Sequence, residues 1–228
     1  GSAELGINLS DIQIQKFSKF VFYLRKWNKI HNLTAISDSQ EIITNHLLDS
    51  LSVNKYLSGE KIIDVGTGPG FPGLPLALIF PNKAFVLLDS SQKKTIFLNQ
   101  IKTHLSVKNV RIIKARVESY QTEDKFDHII SRAFSSVEKM VNFTQHLLRD
   151  NGSFLAMKGH ISESELSQLP KQYKVINKRK VIVPMLSKNI PLFVVFRALG
   201  IETDKEILKY ILYNFNDKKT SIFLEDLE

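Results

Sequence analysis

The densest chemical signal in the chain is the segment Asp64-Val-Gly-Thr-Gly-Pro-Gly-Phe-Pro-Gly73, entered from the run Lys61-Ile-Ile63. Glycines at 66, 68, 70 and 73 allow a sharp turn and let a ligand lie against the backbone with no Cβ in the way. Open α/β sheets bind ligands outside the carboxyl ends of their strands, so a strand feeding this turn places a pocket there. A phosphate loop is excluded, because no Gly-Lys-Ser/Thr follows. A dinucleotide loop needs G-x-G-x-x-G, whereas the spacing here is G-x-G-x-G with Phe71 in the sixth place. Asp64 would repel a pyrophosphate and attract ammonium and sulfonium charge. The loop therefore favours S-adenosylmethionine over NAD.

Two further acids extend the pattern. Asp89 ends the next apolar run, 25 residues after Asp64, where a carboxylate can accept both ribose hydroxyls of an adenosine. Glu118, beside the backbone of Val117, follows the third run at the place of an adenine edge. Any one of these acids alone could cap a helix or hold a surface ion pair. Three at successive strand ends mark a site.

The elements that must position them follow from periodicity. Residues 10–30 form an amphipathic helix capped by Ser10, with Ile14, Phe17, Phe20, Val21, Leu24 and Trp27 at spacings of three and four. A second helix starts near Ser37-Asp38, with Glu41 placed as in a capping box, and runs to Leu51. Strands are expected at 61–65, 84–89, 110–114, 127–131 and 153–157, with helices at 73–80, 92–105 and 136–148. Pro72 suits the first turn of its helix, and Asp150-Asn-Gly152 signals a turn before the fifth strand. This alternation predicts βαβ units and a mostly parallel sheet. Val181-Ile-Val183 and Leu192–Phe196 suit a closing antiparallel hairpin.

Composition narrows the class. The 228 residues are 43% hydrophobic and 24% charged, as in globular proteins. No apolar run nears the roughly 20 residues of a membrane span. The opening Gly1-Ser2 reads as a cloning remnant, with no signal or transit pattern behind it. Zero cysteines exclude disulfides and thiolate metal sites and fit a cytoplasmic protein. The six histidines lack ligand spacing, so no metal is expected. Met140 and Met157 read as core. The net charge of +8 is uneven: residues 1–200 hold 27 bases against 16 acids. Such a body suits a polyanion, nucleic acid first and anionic membrane second. Lys93, Lys94, Lys102, Arg111, Arg116 and the stretch Lys171 to Lys188, with six bases and no acid, are the candidate RNA contacts.

Six segments together resemble one family: Trp27-Asn-Lys-Ile-His-Asn-Leu-Thr34, His46-Leu-Leu-Asp-Ser50, the loop Asp64–Gly73, Leu88-Asp-Ser90, Ile130-Ser-Arg-Ala-Phe134 and Leu155-Ala-Met-Lys-Gly159. The chain is similar, from about residue 10 to 199, to the small-subunit (16S) ribosomal RNA guanine-N7 methyltransferases, also called the glucose-inhibited division protein B family. The resemblance implies a class I S-adenosylmethionine-dependent methyltransferase fold. That fold is Rossmann-like, with a mostly parallel seven-stranded sheet, a final antiparallel hairpin and a helical N-terminal cap. It implies N7 methylation of one guanine near the decoding centre, in RNA or in the small subunit; independently of the resemblance, the chain is expected to be a monomer. It places cofactor contacts at Gly66, Phe71, Val117, Glu118 and Arg132, beside Asp64, Gly68, Gly70 and Asp89 from the loop and strand-end reading. Arg132 and Lys158 are its candidate catalytic residues, Lys158 toward RNA phosphate or the guanine edge. Asn32, Thr34, His46 and Asp49 match its N-terminal motifs.

The implied domains are a helical cap (1–58), a methyltransferase domain (59–199) and an acidic amphipathic extension (200–228) outside the family pattern. Guanine N7 has an in-plane lone pair, so direct displacement from the sulfonium needs no general base and rests on positioning and exclusion of water. Three rivals stay open on sequence. They are an NAD-dependent oxidoreductase, a non-catalytic RNA-binding assembly factor, and a methyltransferase acting on small molecules or proteins.

Overall fold

The first helix, α1 (Asp11–His31), is set by its cap. The Ser10 hydroxyl accepts the Gln13 N–H while the Gln13 side chain accepts the Ser10 N–H, a reciprocal capping box. Phe17, Phe20, Val21 and Leu24 are buried along one stripe, whereas Ile14 is 48% exposed. The buried face thus starts one turn later than the periodicity suggests, and at its rim the Gln13 side chain donates to the Leu78 carbonyl. The computed structural model describes residues 1–180, 183–184 and 192–198, all within the unit Gly1–Ala198.

Asp38 caps the next helical segment through the N–H groups of Gln40 and Glu41. The sequence suggests one continuous helix here. Instead, α2 (Ser39–Ile42) passes into a π-helical stretch, Ile43–Leu48, and then α3 (Asp49–Leu51). The wider turn breaks the 3.6-residue period. It falls on Asn45 and His46, which face the site described below.

The five parallel strands lie close to their predicted places: β1 (Lys61–Val65), β2 (Ala84–Asp89), β3 (Val110–Lys114), β4 (Phe126–Ser131) and β5 (Leu148–Lys158). β5 is the longest, because its pairing with β4 jumps from Leu148 to Ser153. The Asp150-Asn-Gly152 signal is absorbed in that irregularity, with Asn151 at positive φ, rather than forming a turn before the strand. Between the strands run α4 (Gly73–Ile79), α5 (Gln92–His104) and α6 (Val137–Thr144), the last continued by a 3₁₀ turn at Gln145–Leu147. A short α7 (Glu163–Ser167) was not evident in the sequence.

The closing hairpin is antiparallel, as expected, but its first arm is β6 (Tyr173–Lys180) rather than 181–183; the second is β7 (Leu192–Ala198). Residues 181–182 lie outside the described residues, and Val183 is a buried core residue. β6 escaped detection because it is an edge strand, and edge strands carry charges that hide the apolar pattern. The sheet order is β3-β2-β1-β4-β5-β7-β6. β1 therefore sits where the winding reverses, with β2 on one side and β4 on the other. One hydrophobic cluster joins α1, α4 and α5 to one face of the sheet, and a second gathers α6 with the other. Phe20 packs against Phe71 and Phe97, so α1 is tied directly to the loop after β1.

Candidate active site

The loop leaving β1 is a built object. Gly66 and Thr67 N–H groups donate to the Leu88 carbonyl, and Gly70 and Phe71 donate back to Thr67. Asp64 Oδ2 accepts from the Thr67 hydroxyl at 2.6 Å and from the Gly73 N–H at 2.7 Å. Asp89 Oδ2 accepts from Gly68 N–H at 2.8 Å, and its Oδ1 from Ser91 N–H. The acids at the ends of β1 and β2 therefore hold the loop as well as facing it. Gly66 (φ 73°) and Gly68 (φ 62°) occupy the left-handed region that favours glycine. A Cβ on Gly66 would stand 2.5 Å from that of Ala133, whereas one on Gly68 would meet nothing within 4 Å. Gly73 opens α4 at the expected start, with Pro72 as its N-cap residue.

Around this loop lies a buried charged cluster. Arg132, just past β4, sits 3.0 Å from Asp49 Oδ2 and donates to the Asn45 carbonyl at 3.4 Å. Its Nη1 is close enough to Asp49 for an ion pair but not aligned as a hydrogen bond, and it keeps a free donor. Asp64 Oδ1 is likewise buried with no hydrogen-bond partner. Burial raises Asp64 to about 7, against the pull of the Thr67 and Gly73 hydrogen bonds and of Arg132. Burial also raises Asp49, opposed by Arg132.

His46 is lowered to about 4, by burial first and by Arg132 second. Its Nδ1 faces the Asn45 carbonyl and so carries the proton, leaving Nε2 to accept from the Thr34 hydroxyl at 2.9 Å. The neutral ring stacks on Phe71 at 4.5 Å between centroids. Asn28 holds this corner, its Oδ1 accepting the Thr34 N–H.

The structure thus brings Asp64, Gly66, Gly68, Gly70, Phe71, Asp89 and Arg132 to one end of the sheet, with Thr34, His46 and Asp49 beside them. Phe71 is 5% exposed, its ring between Phe20 and His46. Val117 is buried and Glu118 exposed, on the 3₁₀ turn Val117–Ser119 after β3. Asn32 ends α1 in a left-handed C-cap.

Lys158 is placed differently from its neighbours. Its ammonium donates to the Ser135 carbonyl and to Glu165, both at 2.6 Å, and Glu165 also accepts the Val137 N–H. It is a brace between β5, α6 and α7.

Of the candidate RNA contacts, Lys178 pairs with Glu163, Arg111 bonds the Tyr120 hydroxyl, and Lys93 and Lys94 border a cleft. Arg25 and Lys29 join that cleft and carry no motif signal, since cations on the solvent face of an amphipathic helix look like any soluble surface. Among the described residues no group of three or more His, Cys, Asp or Glu is placed to hold a metal, and no helix is long and apolar enough to cross a membrane.

An orphaned carboxylate oxygen, a loop position open where a side chain would stand, and the absence of a phosphate cradle fit S-adenosylmethionine. A buried acceptor without a partner is costly, and a cationic ligand can satisfy it.

Together with the doubly wound strand order, these features define a class I methyltransferase. Solved structures agree on the fold. A ribosomal protein L11 methylase from Lactobacillus delbrueckii subsp. bulgaricus matches with a TM-score of 0.52 at 12% identity, over 72% of this chain and 81% of its own. TehB from Haemophilus influenzae matches at 0.51 and 15%, over 78% and 67%. The sequence then gives the family: residues 13–194 match rRNA small subunit methyltransferase G, and the chain belongs to that family. Relatives named Ribosomal RNA small subunit methyltransferase G include one from Marinomonas sp. (strain MWYL1), 46% identical over 81% of this chain and 88% of its own length. Another, from Idiomarina loihiensis, is 48% identical over 78% and 86%.

Proposed function

We propose that this protein transfers a methyl group from S-adenosylmethionine to N7 of a single guanine in 16S ribosomal RNA, free or within the small subunit. The family match over residues 13–194 carries this reading. Acids at the ends of β1 and β2, a glycine loop at the switch point and a basic body support it.

Bound S-adenosylmethionine supplies a methyl group made electrophilic by a sulfonium. Asp64 holds the positive end of that ligand, and the backbone at Gly66, Gly68 and Gly70 forms the floor. Asp89 takes the ribose hydroxyls, and Val117 with Glu118 takes the adenine edge. Phe71, wedged between Phe20 and His46, contributes by holding the loop in shape. Arg132 keeps a donor at the site and orients the reacting groups.

Lys158 acts through its brace with Ser135 and Glu165, as a positioning residue. No side chain has to remove a proton, because guanine N7 already presents its lone pair. The work of the protein is then orientation and exclusion of water.

The cap 1–58, the methyltransferase domain 59–199 and the extension 200–228 complete the reading, as does a cytoplasmic monomer without metal. The test is transfer of labelled methyl from S-adenosylmethionine to small-subunit RNA, followed by mapping of the product base. N7-methylguanine at one position is expected. Label at another atom, no transfer to RNA, or tight NADH binding in place of S-adenosylhomocysteine would overturn the assignment.

A further inference from the structure

A cleft of about 900 Å³ opens between the C-terminal half of α1, the loop Asn32–Ser37 and the first turn of α5. Arg25, Lys29, Lys93 and Lys94 line it, with Asn28, Asn32 and Thr34 supplying neutral polar groups, and no acid is among the described residues that do so. Arg25 and Lys29 lie four residues apart and so share one face of α1.

Two of the cations are held in place by backbone. Arg25 Nε donates to the Ser37 carbonyl at 3.3 Å, and Lys93 Nζ to the carbonyls of His31 at 2.7 Å and Asn32 at 3.3 Å. A guanidinium has five donors and an ammonium three. Most of Arg25's therefore remain for a ligand, from a side chain already ordered. Lys94 stands 3.9 Å from Asp89, the acid that also holds the Gly68 N–H, so the cleft adjoins the loop after β1.

We propose that this cleft seats the sugar–phosphate backbone of the substrate RNA strand beside its target base. The proposal rests on the RNA-methylating reading above. Cations spread over two elements, without an acid among them, suit a run of phosphates. Ligand pockets for small molecules are instead lined mainly by apolar side chains. Phosphate contacts position a strand without reading its sequence.

The test uses the full chain with Arg25→Gln and Lys29→Gln combined, and Lys29→Glu separately; both side chains are exposed, so the fold is not at risk. RNA binding is followed by fluorescence anisotropy from about 50 to 200 mM salt. The KM for small-subunit RNA and the affinity for S-adenosylhomocysteine are measured alongside. The double variant should weaken RNA binding about tenfold or more and flatten the slope of log affinity against log salt by about 1.4, about 0.7 per contact on a single strand. S-adenosylhomocysteine affinity should not change. An unchanged RNA affinity and salt slope would overturn the proposal, as would a loss confined to S-adenosylhomocysteine. If the unaltered protein transfers no methyl to RNA, the functional reading fails, and the anisotropy still decides the cleft.

Discussion

Replacing Gly68 with Ala separates what the loop needs for folding from what it needs for a ligand. An L-residue with a Cβ in the left-handed region costs about 1–2 kcal/mol, and Gly68 sits at φ 62°. No steric cost adds to this, because nothing lies within 4 Å of the new methyl. The Gly68 N–H can still reach Asp89, since alanine keeps the donor. For a chain of this size each kcal/mol moves Tm by about 2–4 °C, so the melting point should fall by about 2–8 °C. If the cofactor lies on this part of the loop, the same methyl occupies its space. Calorimetric titration with S-adenosylhomocysteine should then show at least a tenfold loss of affinity, about 1.4 kcal/mol. Gly66→Ala is the contrast: its Cβ would stand 2.5 Å from that of Ala133, so the fold itself suffers more. Full affinity in Gly68→Ala with only the modest fall in Tm would refute the placement of the cofactor.

Three other outcomes follow from the same geometry. Burial lowers both His46 and His128 to about 4, and His128 Nε2 accepts the Gly59 N–H, a bond that protonation removes. The unfolded chain therefore binds more protons between pH 4 and 6.5, and each histidine takes away up to about 3 kcal/mol of stability as pH falls through that window. Asp64, raised to about 7, acts in the opposite sense, so the comparison of interest is between proteins. His128→Gln should lose less stability from pH 6.5 to 4.5 than the unaltered chain in denaturant titrations, and parallel curves would contradict this.

Asp64 also makes cofactor affinity depend on pH. A cation binds its ionised form, so S-adenosylmethionine affinity should rise from pH 6 to 8 and flatten in Asp64→Asn; a flat profile in the unaltered chain counts against a cationic contact there. Lys158→Gln should lower kcat while leaving S-adenosylhomocysteine affinity within about twofold, because its brace lies away from the loop. Loss of cofactor binding instead would move Lys158 into the cofactor site.

The chemistry of the loop was legible in the sequence because it is local. Gly66, Gly68 and Asp64 lie within five residues, and the backbone conformation they require is written in residue type. The strands β1, β2 and β4 were legible for a similar reason, since buried parallel strands read as short apolar runs. The edge strand β3 was legible because Val110, Ile112 and Ile113 keep it apolar around its two cations. β6 was not, because its cations mask the pattern on an exposed edge, and the π-helical turn was not, because nothing in Ile43–Leu48 distinguishes it from an ordinary helix.

What the sequence determined by itself is therefore the class of ligand, the kind of sheet and the family. Each depends on residue type, on spacing along the chain, or on likeness to other chains. Only the tertiary structure decided how those parts face each other. It turned Asp64 inward with one oxygen left over, set Arg132 against Asp49 across 83 positions of sequence, and tied Lys158 to Glu165. It also carried Arg25 and Lys29 to Lys93 and Lys94. The physical reason is that burial, and the electrostatics that follow from it, depend on distance through space. A chain that returns to the same point from four different elements does not record that distance in its spacing.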